Sequence, residues 1–243
     1  MMQALHEHIS SDGFRLRGTA MSRVDGFSDV VFGFAITLLV VSLEVPHTFE
    51  DLNRSLHDFI PFAICFLMLI RIWYSHYKFF RRYGLHDLGT ICINATLLFV
   101  VLFYVYPMKF LFTNLIEVWT GNVSGFGTYA QVRELMVIYG VGFTLVYLLF
   151  GALYWNAWRQ RQTLALSQVE MFLTRSSMIE NIAMSSVGML SIAVATLLPQ
   201  GFAGLAGFVY VLLSVVGSIH GRWQGRRLKR LREAAPLTTG MLP

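Results

Sequence analysis

Apolar residues gather in six long stretches, 27–45, 59–80, 90–112, 132–158, 177–198 and 202–219, with shorter polar segments between them. Each is close to or above the roughly 20 apolar residues that an α-helix needs to cross a hydrocarbon core about 30 Å thick. The pattern predicts an all-α integral membrane protein with six transmembrane helices. It leaves no segment able to build a separate soluble domain. The chain then divides into a short mobile arm, 1–22, a membrane domain, 23–220, and a tail, 221–243. Asp58 before Phe59-Ile60-Pro61 reads as the start of the second helix, and Asp87 as the cap of the third. Pro107 marks a kink near the end of the third. Gly201, Gly204 and Gly207 suggest close packing at the start of the sixth.

The first stretch carries the most information. On a helix, Val30, Phe34, Leu38, Val41 and Val45 share one face, with Thr37 beside them. Such a line ordinarily faces lipid or a bundle core. Here Ser28 and Asp29 stand at one end and Glu44 at the other. An acid at the centre of a membrane helix costs about 2.5–3.5 kcal/mol on insertion scales and less near the interface. Acid groups at both mouths of an apolar tube concentrate cations, which turns the line into a candidate ion path. In the second stretch, Arg71 lies mid-span and is expected to face the interior and find a partner. His76 is a candidate hydrogen-bonded residue, and Asn94 in the third stretch is candidate interhelical glue.

The chain is 55% hydrophobic and 14% charged, against about 25% charged in soluble domains. Lysine and arginine alternate sides. Arg15, Arg17, Arg23, Lys78, Arg81, Arg82, Arg159, Arg161, Arg175 and the tail fall on one side; Arg54, Lys109 and Arg133 fall on the other. The positive-inside rule places both termini in the cytoplasm of a multi-pass cell-membrane protein. The basic tail, Arg222 to Arg232, is expected to anchor on anionic headgroups. It lacks the aromatic interleaving or folded module that nucleic-acid binding needs, so no nucleic-acid partner is expected. Trp73, Tyr74, Tyr77, Trp155, Trp158 and Trp223 form an interfacial belt. Cys65 and Cys92 fall within predicted helices and read as packing residues. Residues 1–22 are too charged for a signal peptide. Asn122-Val123-Ser124, in the longest outer loop, matches a glycosylation tripeptide.

Catalytic signatures are missing. The chain has no Walker loop, no G-x-G-x-x-G, no H-E-x-x-H and no paired C-x-x-C. Its histidines, at 6, 8, 47, 57, 76, 86 and 220, are scattered. Neither an enzyme nor a bound cofactor is expected. Tyr139-Gly140-Val141-Gly142 carries the letters of a potassium-filter loop in the wrong order and without pore-loop flanks.

The run Arg23-x-x-x-Phe27-Ser28-Asp29, followed by Phe32, Ala35-Ile36-Thr37-Leu38-Leu39-Val40 and Val45-Pro46, resembles the first helix of prokaryotic relatives of the lysosomal potassium channel transmembrane protein 175. Trp73, His76 and Phe79 follow as W-x-x-H-x-x-F. Asn94 then precedes Leu97-Leu98-Phe99, with Pro107 beyond. The last three stretches match in hydropathy alone. The resemblance implies six-helix subunits assembled as a homotetramer, with the first helix of each lining a central pore. It implies a potassium-preferring cation channel without a carbonyl filter, whose small-molecule traffic is permeant K+. By position, Phe34 would form the narrow ring, Leu38 and Val41 successive rings outward, and Thr37 would add hydroxyls. Arg23, Phe27, Ser28 and Asp29 would join Trp73, His76 and Asn94 in a network that orients the pore helix. The chain departs from the pattern at Val30, usually a small residue, and at Phe34, usually isoleucine. Four phenylalanines would narrow or dewet a pore more than four isoleucines. A single pore helix per chain requires symmetric assembly, and closed rings are the usual solution. The alternative is a proton-coupled secondary transporter using Asp29, Arg71, His76 and Asn94. Against it, the chain shows no inverted repeat or matched broken helices.

Overall fold

A computed structural model describes residues 9–42, 47–119 and 128–234. The expected pore-mouth acid Glu44 and the tripeptide at Asn122 lie outside the described residues. The helices are α1 (Arg23–Val41), α2 (Phe49–Tyr83), α3 (Leu88–Trp119), α4 (Tyr129–Arg159), α5 (Gln168–Leu197), a short α6 (Leu205–Phe208) and α7 (Leu212–Ala234). Among the described residues, six segments have membrane length and apolarity: α1, Phe59–Tyr83 of α2, Leu88–Glu117 of α3, α4, α5 and Leu205–Arg230 through α6 and α7.

The helices overrun the apolar stretches. Once nucleated, a helix propagates into polar sequence at little cost. So α2 begins at Phe49 and carries Pro61 in its interior, not in its first turn at Asp58. The start of α5 at Gln168 is marked by a reciprocal cap between Ser167 and Glu170, nine residues before the apolar stretch. At the other end of the chain, α7 carries the basic residues Arg222 to Arg232 on its last turns.

Close helix contact occurs at glycines other than those expected. A Cβ at Gly188 would lie 2.4 Å from Thr144 Oγ1, one at Gly140 would lie 2.6 Å from Ile192 Cγ1, and one at Gly142 would strike the Tyr104 ring at 2.2 Å. Gly140 and Gly142, the filter-like letters, thus serve helix packing. Gly201 and Gly204 have nothing within 4 Å of a built Cβ. The close packing at this point falls to Ala203 and Ala206, both fully buried, with Ser191 Oγ of α5 donating to Ala206 O at 3.0 Å.

Residues 9–22 are not a mobile arm. Their charges find partners on the bundle, and the last carbonyls of α2, which a helix end leaves unsatisfied, accept their amides. Arg17 N–H donates to Arg82 O at 3.3 Å and Gly18 N–H to Arg81 O at 3.1 Å. Phe14 is fully buried, edge-on to Tyr83 at 5.3 Å and 4.8 Å beneath the Arg82 guanidinium. Arg82 pairs with Asp12. Arg17 grips both carboxylate oxygens of Glu170, at 2.9 Å each. Gly84, at φ +58°, turns the chain after α2, and a Cβ there would press on the Arg17 carbonyl at 3.1 Å.

Candidate pore helix and its anchoring network

Ser22 and Asp25 cap each other at the start of α1, with Asp25 N–H on Ser22 Oγ at 3.1 Å and Ser22 N–H on Asp25 Oδ2 at 3.0 Å. From there α1 presents two faces. Ser28, Phe32, Ala35 and Leu39 are buried against the bundle. Phe27, Val30, Phe34, Thr37 and Val41, at alternating spacings of three and four, are exposed in the single chain. Leu38, expected in the same line, is half-buried at its flank. The Thr37 hydroxyl donates to Gly33 O at 3.0 Å, which leaves its oxygen lone pairs outward.

The buried face carries a directed chain of hydrogen bonds. Ser28 Oγ donates to Val24 O at 2.7 Å, so it must accept from Asn94 Nδ2 at 2.9 Å. The Asn94 carbonyl oxygen is then the acceptor for His76 Nε2 at 2.8 Å, and that nitrogen carries the proton. His76 is 2% exposed and lies between the rings of Phe32 and Phe80, at 5.5 and 4.5 Å. Beside this chain, Trp73 Nε1 donates to Asp29 Oδ1 at 2.8 Å. The structure therefore brings Ser28, Asp29, Trp73, His76 and Asn94 together. Arg23 and Phe27 stay on the exposed surface, and among the described residues Arg23 forms no hydrogen bond or ion pair. A cavity of 270 Å³ adjoins the network, with Asp25, Asp29, His76 and Arg81 in its wall.

The other end of α1 has a clamp that sequence reasoning missed. Lys109 Nζ of α3 donates to Ser42 O at 2.6 Å and to Ser42 Oγ at 2.7 Å. An ammonium at a helix C-terminus also complements the helix dipole. The available signal was that Lys109 is the sole charge in the stretch 90–112.

Arg71 does not behave as expected. It is exposed in the single chain, and among the described residues its side chain has no hydrogen-bond or ion-pair partner. No bond joins it to the His76–Asn94 chain, so the four groups of a proton relay are not connected. Cys65 is buried as expected, whereas Cys92 is exposed. Among the described residues, no three His, Cys, Asp or Glu side chains converge as metal ligands.

Asp87, in the turn before α3, caps Thr90 N–H at 3.2 Å and accepts from Asn156 and Gln160 at the end of α4. Burial opposes its ionisation. The bonds from Thr90, Gln160 and Asn156 outweigh that and hold the carboxyl below its usual range.

Known proteins share this arrangement. The profile of the family described as endosomal/lysosomal potassium channel TMEM175 matches residues 23–107, from the start of α1 well into α3. A Marivirga tractuosa protein named potassium channel is 44% identical over 230 residues, covering 90% of this chain and 93% of its own. The crystal structure of a variant of the potassium channel MtTMEM175, bound to a nanobody fusion, superposes with a TM-score of 0.80 at 42% identity, over 90% of this chain and 99% of that one. The structure of a TMEM175 homologue from Chamaesiphon minutus shares the fold, with a TM-score of 0.55 at 22% identity over 82% of this chain and 96% of that one. With similarity of this extent running through all six membrane-length helices, the chain belongs to the TMEM175 family.

Proposed function

We propose that the chain is the pore-forming subunit of a potassium-preferring cation channel, a homotetramer in which α1 of each subunit lines a shared path. The observation that carries this reading is the division of α1. One face is bolted to α2 and α3 by hydrogen bonds, while Val30, Phe34, Thr37 and Val41 are left uncovered. One such helix cannot enclose a path, and rotational symmetry around the uncovered face supplies the rest. The names of the M. tractuosa relative and of MtTMEM175 support potassium as the permeant ion.

Conduction is passive, with no chemical step and no cofactor. Ions shed part of their hydration at the Phe34 ring and pass Leu38 and Val41, and dewetting of these rings closes the path. Thr37 oxygens, their protons spent on Gly33, offer lone pairs to the passing cation. Asp29 at one mouth concentrates cations. Ser28, Asn94, His76, Asp29 and Trp73 fix the rotation of α1, and with it the residues that face the axis. The charge distribution supports a cell-membrane protein with both termini in the cytoplasm and the basic end of α7 on anionic headgroups.

Recordings of the purified protein in planar bilayers test the assignment. Phe34 is exposed in the subunit, so Phe34→Ala leaves the fold intact. It is expected to raise unitary potassium current by about tenfold, the change produced by removing roughly 1.4 kcal/mol of barrier. Leu38→Ala is expected to act in the same direction with a smaller change. Unaltered currents in both variants would show that α1 does not line the path.

A further inference from the structure

A second cleft, of 540 Å³, opens between α2, α3, α4, α5 and α7, and no residue of α1 lines it. Its volume falls within the roughly 300–1,000 Å³ of small-ligand sites. Arg71 of α2, Glu180 of α5 and Ser218 of α7 give it one polar wall, while Met68, Tyr104 and Phe143 contribute apolar surface.

Two features of this cleft call for an occupant. Arg71 lies within the membrane-length part of α2, where a guanidinium is costly unless paired, and among the described residues it has no partner. Glu180 does not supply one, because its carboxylate stands 4.0 Å from His220 Nε2, and His220 is in turn bonded to Ser176 at 2.9 Å. Tyr104, 3% exposed and 5.4 Å from the Tyr139 ring, closes the floor of the cleft. The depth also fits. Tyr74 and Tyr77, stacked 6.4 Å apart on α2, follow Arg71 within two turns, and Trp223 follows Ser218 on α7. Aromatic residues of this kind mark the headgroup level, so the polar wall lies within reach of an arginine that extends toward it. Lys78, seven residues beyond Arg71 on the same face of α2, adds a second cation on the approach.

We propose that this cleft binds an anionic phospholipid from the leaflet on the basic side of the protein. The phosphate takes Arg71, and an acyl chain lies along Met68 and Phe143. The site is separate from the ion path and does not depend on what passes through it.

Native mass spectrometry of the full-length protein, released from phosphatidylcholine bilayers doped with phosphatidylglycerol, counts the retained lipid. Wild type is expected to hold one phosphatidylglycerol per subunit. R71Q is expected to lower its retention about tenfold, as the loss of one charged hydrogen bond would. M68W fills the cleft without altering a charge and is expected to lose the lipid equally. R226Q, on the exposed basic end of α7, is expected to retain it. Full retention in R71Q and M68W overturns the proposal. Retention of added oleate in place of phosphatidylglycerol overturns it in favour of a free carboxylate. Loss of assembly in R71Q with lipid retained in M68W overturns it in favour of a pairing between subunits.

Discussion

Helix α1 and the α4–α5 hairpin are both held against neighbours inside a membrane, yet by different means. Buried residues make up 22% of the apolar window of α1 and 44% of that of α4, so α1 has about half the packed surface. The hairpin is joined by steric contact at Gly140 and Gly188, where no side chain separates the backbones. At α1 the fastenings are directional: Ser28 to Asn94, Asp29 to Trp73 and Ser42 to Lys109. Lipid tails are as apolar as leucine, so helices in a bilayer associate by close packing or by hydrogen bonds. A helix that must leave one face uncovered cannot be packed all round. It is positioned by bonds whose geometry sets its rotation.

The largest expected effect is at the join between the two regions. Arg17→Gln leaves the Glu170 carboxylate, 4% exposed, without its bidentate partner, at a cost of about 3 kcal/mol. The amides of Arg17 and Gly18 are expected to lose hydrogen-exchange protection, while those of α4 keep theirs. Next, Gly188→Leu forces side-chain atoms into Thr144 and Phe143 and is expected to cost about 2 kcal/mol by overpacking. Its thermal midpoint in detergent should fall, and Gly33→Leu on the open face of α1, where nothing lies within 4 Å of a built Cβ, should leave it unchanged. Equal falls would erase the contrast between the two regions. Asn94→Ala removes the middle of the Ser28–His76 chain. It is expected to cost about 1 kcal/mol, little in a melting curve, but to alter ion currents through the rotation of α1. A large fall in melting temperature with unaltered currents would make Asn94 a packing residue like those of the hairpin.

The smallest effect is at Asp87, which links the start of α3 to the end of α4. Its carboxyl titrates lower when folded than when unfolded. Its contribution is therefore complete above the unfolded value, near pH 4, and is lost as pH falls below it. Wild type should lose stability on acidification from about pH 5 to pH 3 more steeply than Asp87→Asn, as followed by thermal unfolding. Parallel pH profiles would show that the cap contributes nothing.

The spans were legible because hydropathy over twenty residues is a local pattern. The grouping of Ser28, Asp29, Trp73, His76 and Asn94 came from the family resemblance alone, since nothing local in α1 names its partners on α2 and α3. The strap at residues 9–22 was illegible from local pattern. Asp12 and Arg17 look like the charges of a solvated arm until Arg82 and Glu170 are brought beside them, and nothing near in sequence announces that. Gly140 and Gly188 were missed because a single glycine in an apolar run carries no sign of what it faces. Gly201, Gly204 and Gly207 attracted notice by clustering, but the fully buried small residues of that segment are Ala203 and Ala206. Arg71 was expected to find a partner because charge in a span usually does, and the described residues of the single subunit supply none.

The Arg15 amide donates to Glu170 Oε1 at 2.9 Å across a sequence separation of 155 residues. At ribosomal rates, the second of these is synthesised roughly ten to thirty seconds after the first. The opening helix thus enters the bilayer well before the group that pins its leading strap exists. Insertion and the closing of this clamp are distinct events in biogenesis, and a nascent chain halted ahead of α5 would carry a first helix fastened to α2 and α3 whose leading strap still lacks Glu170.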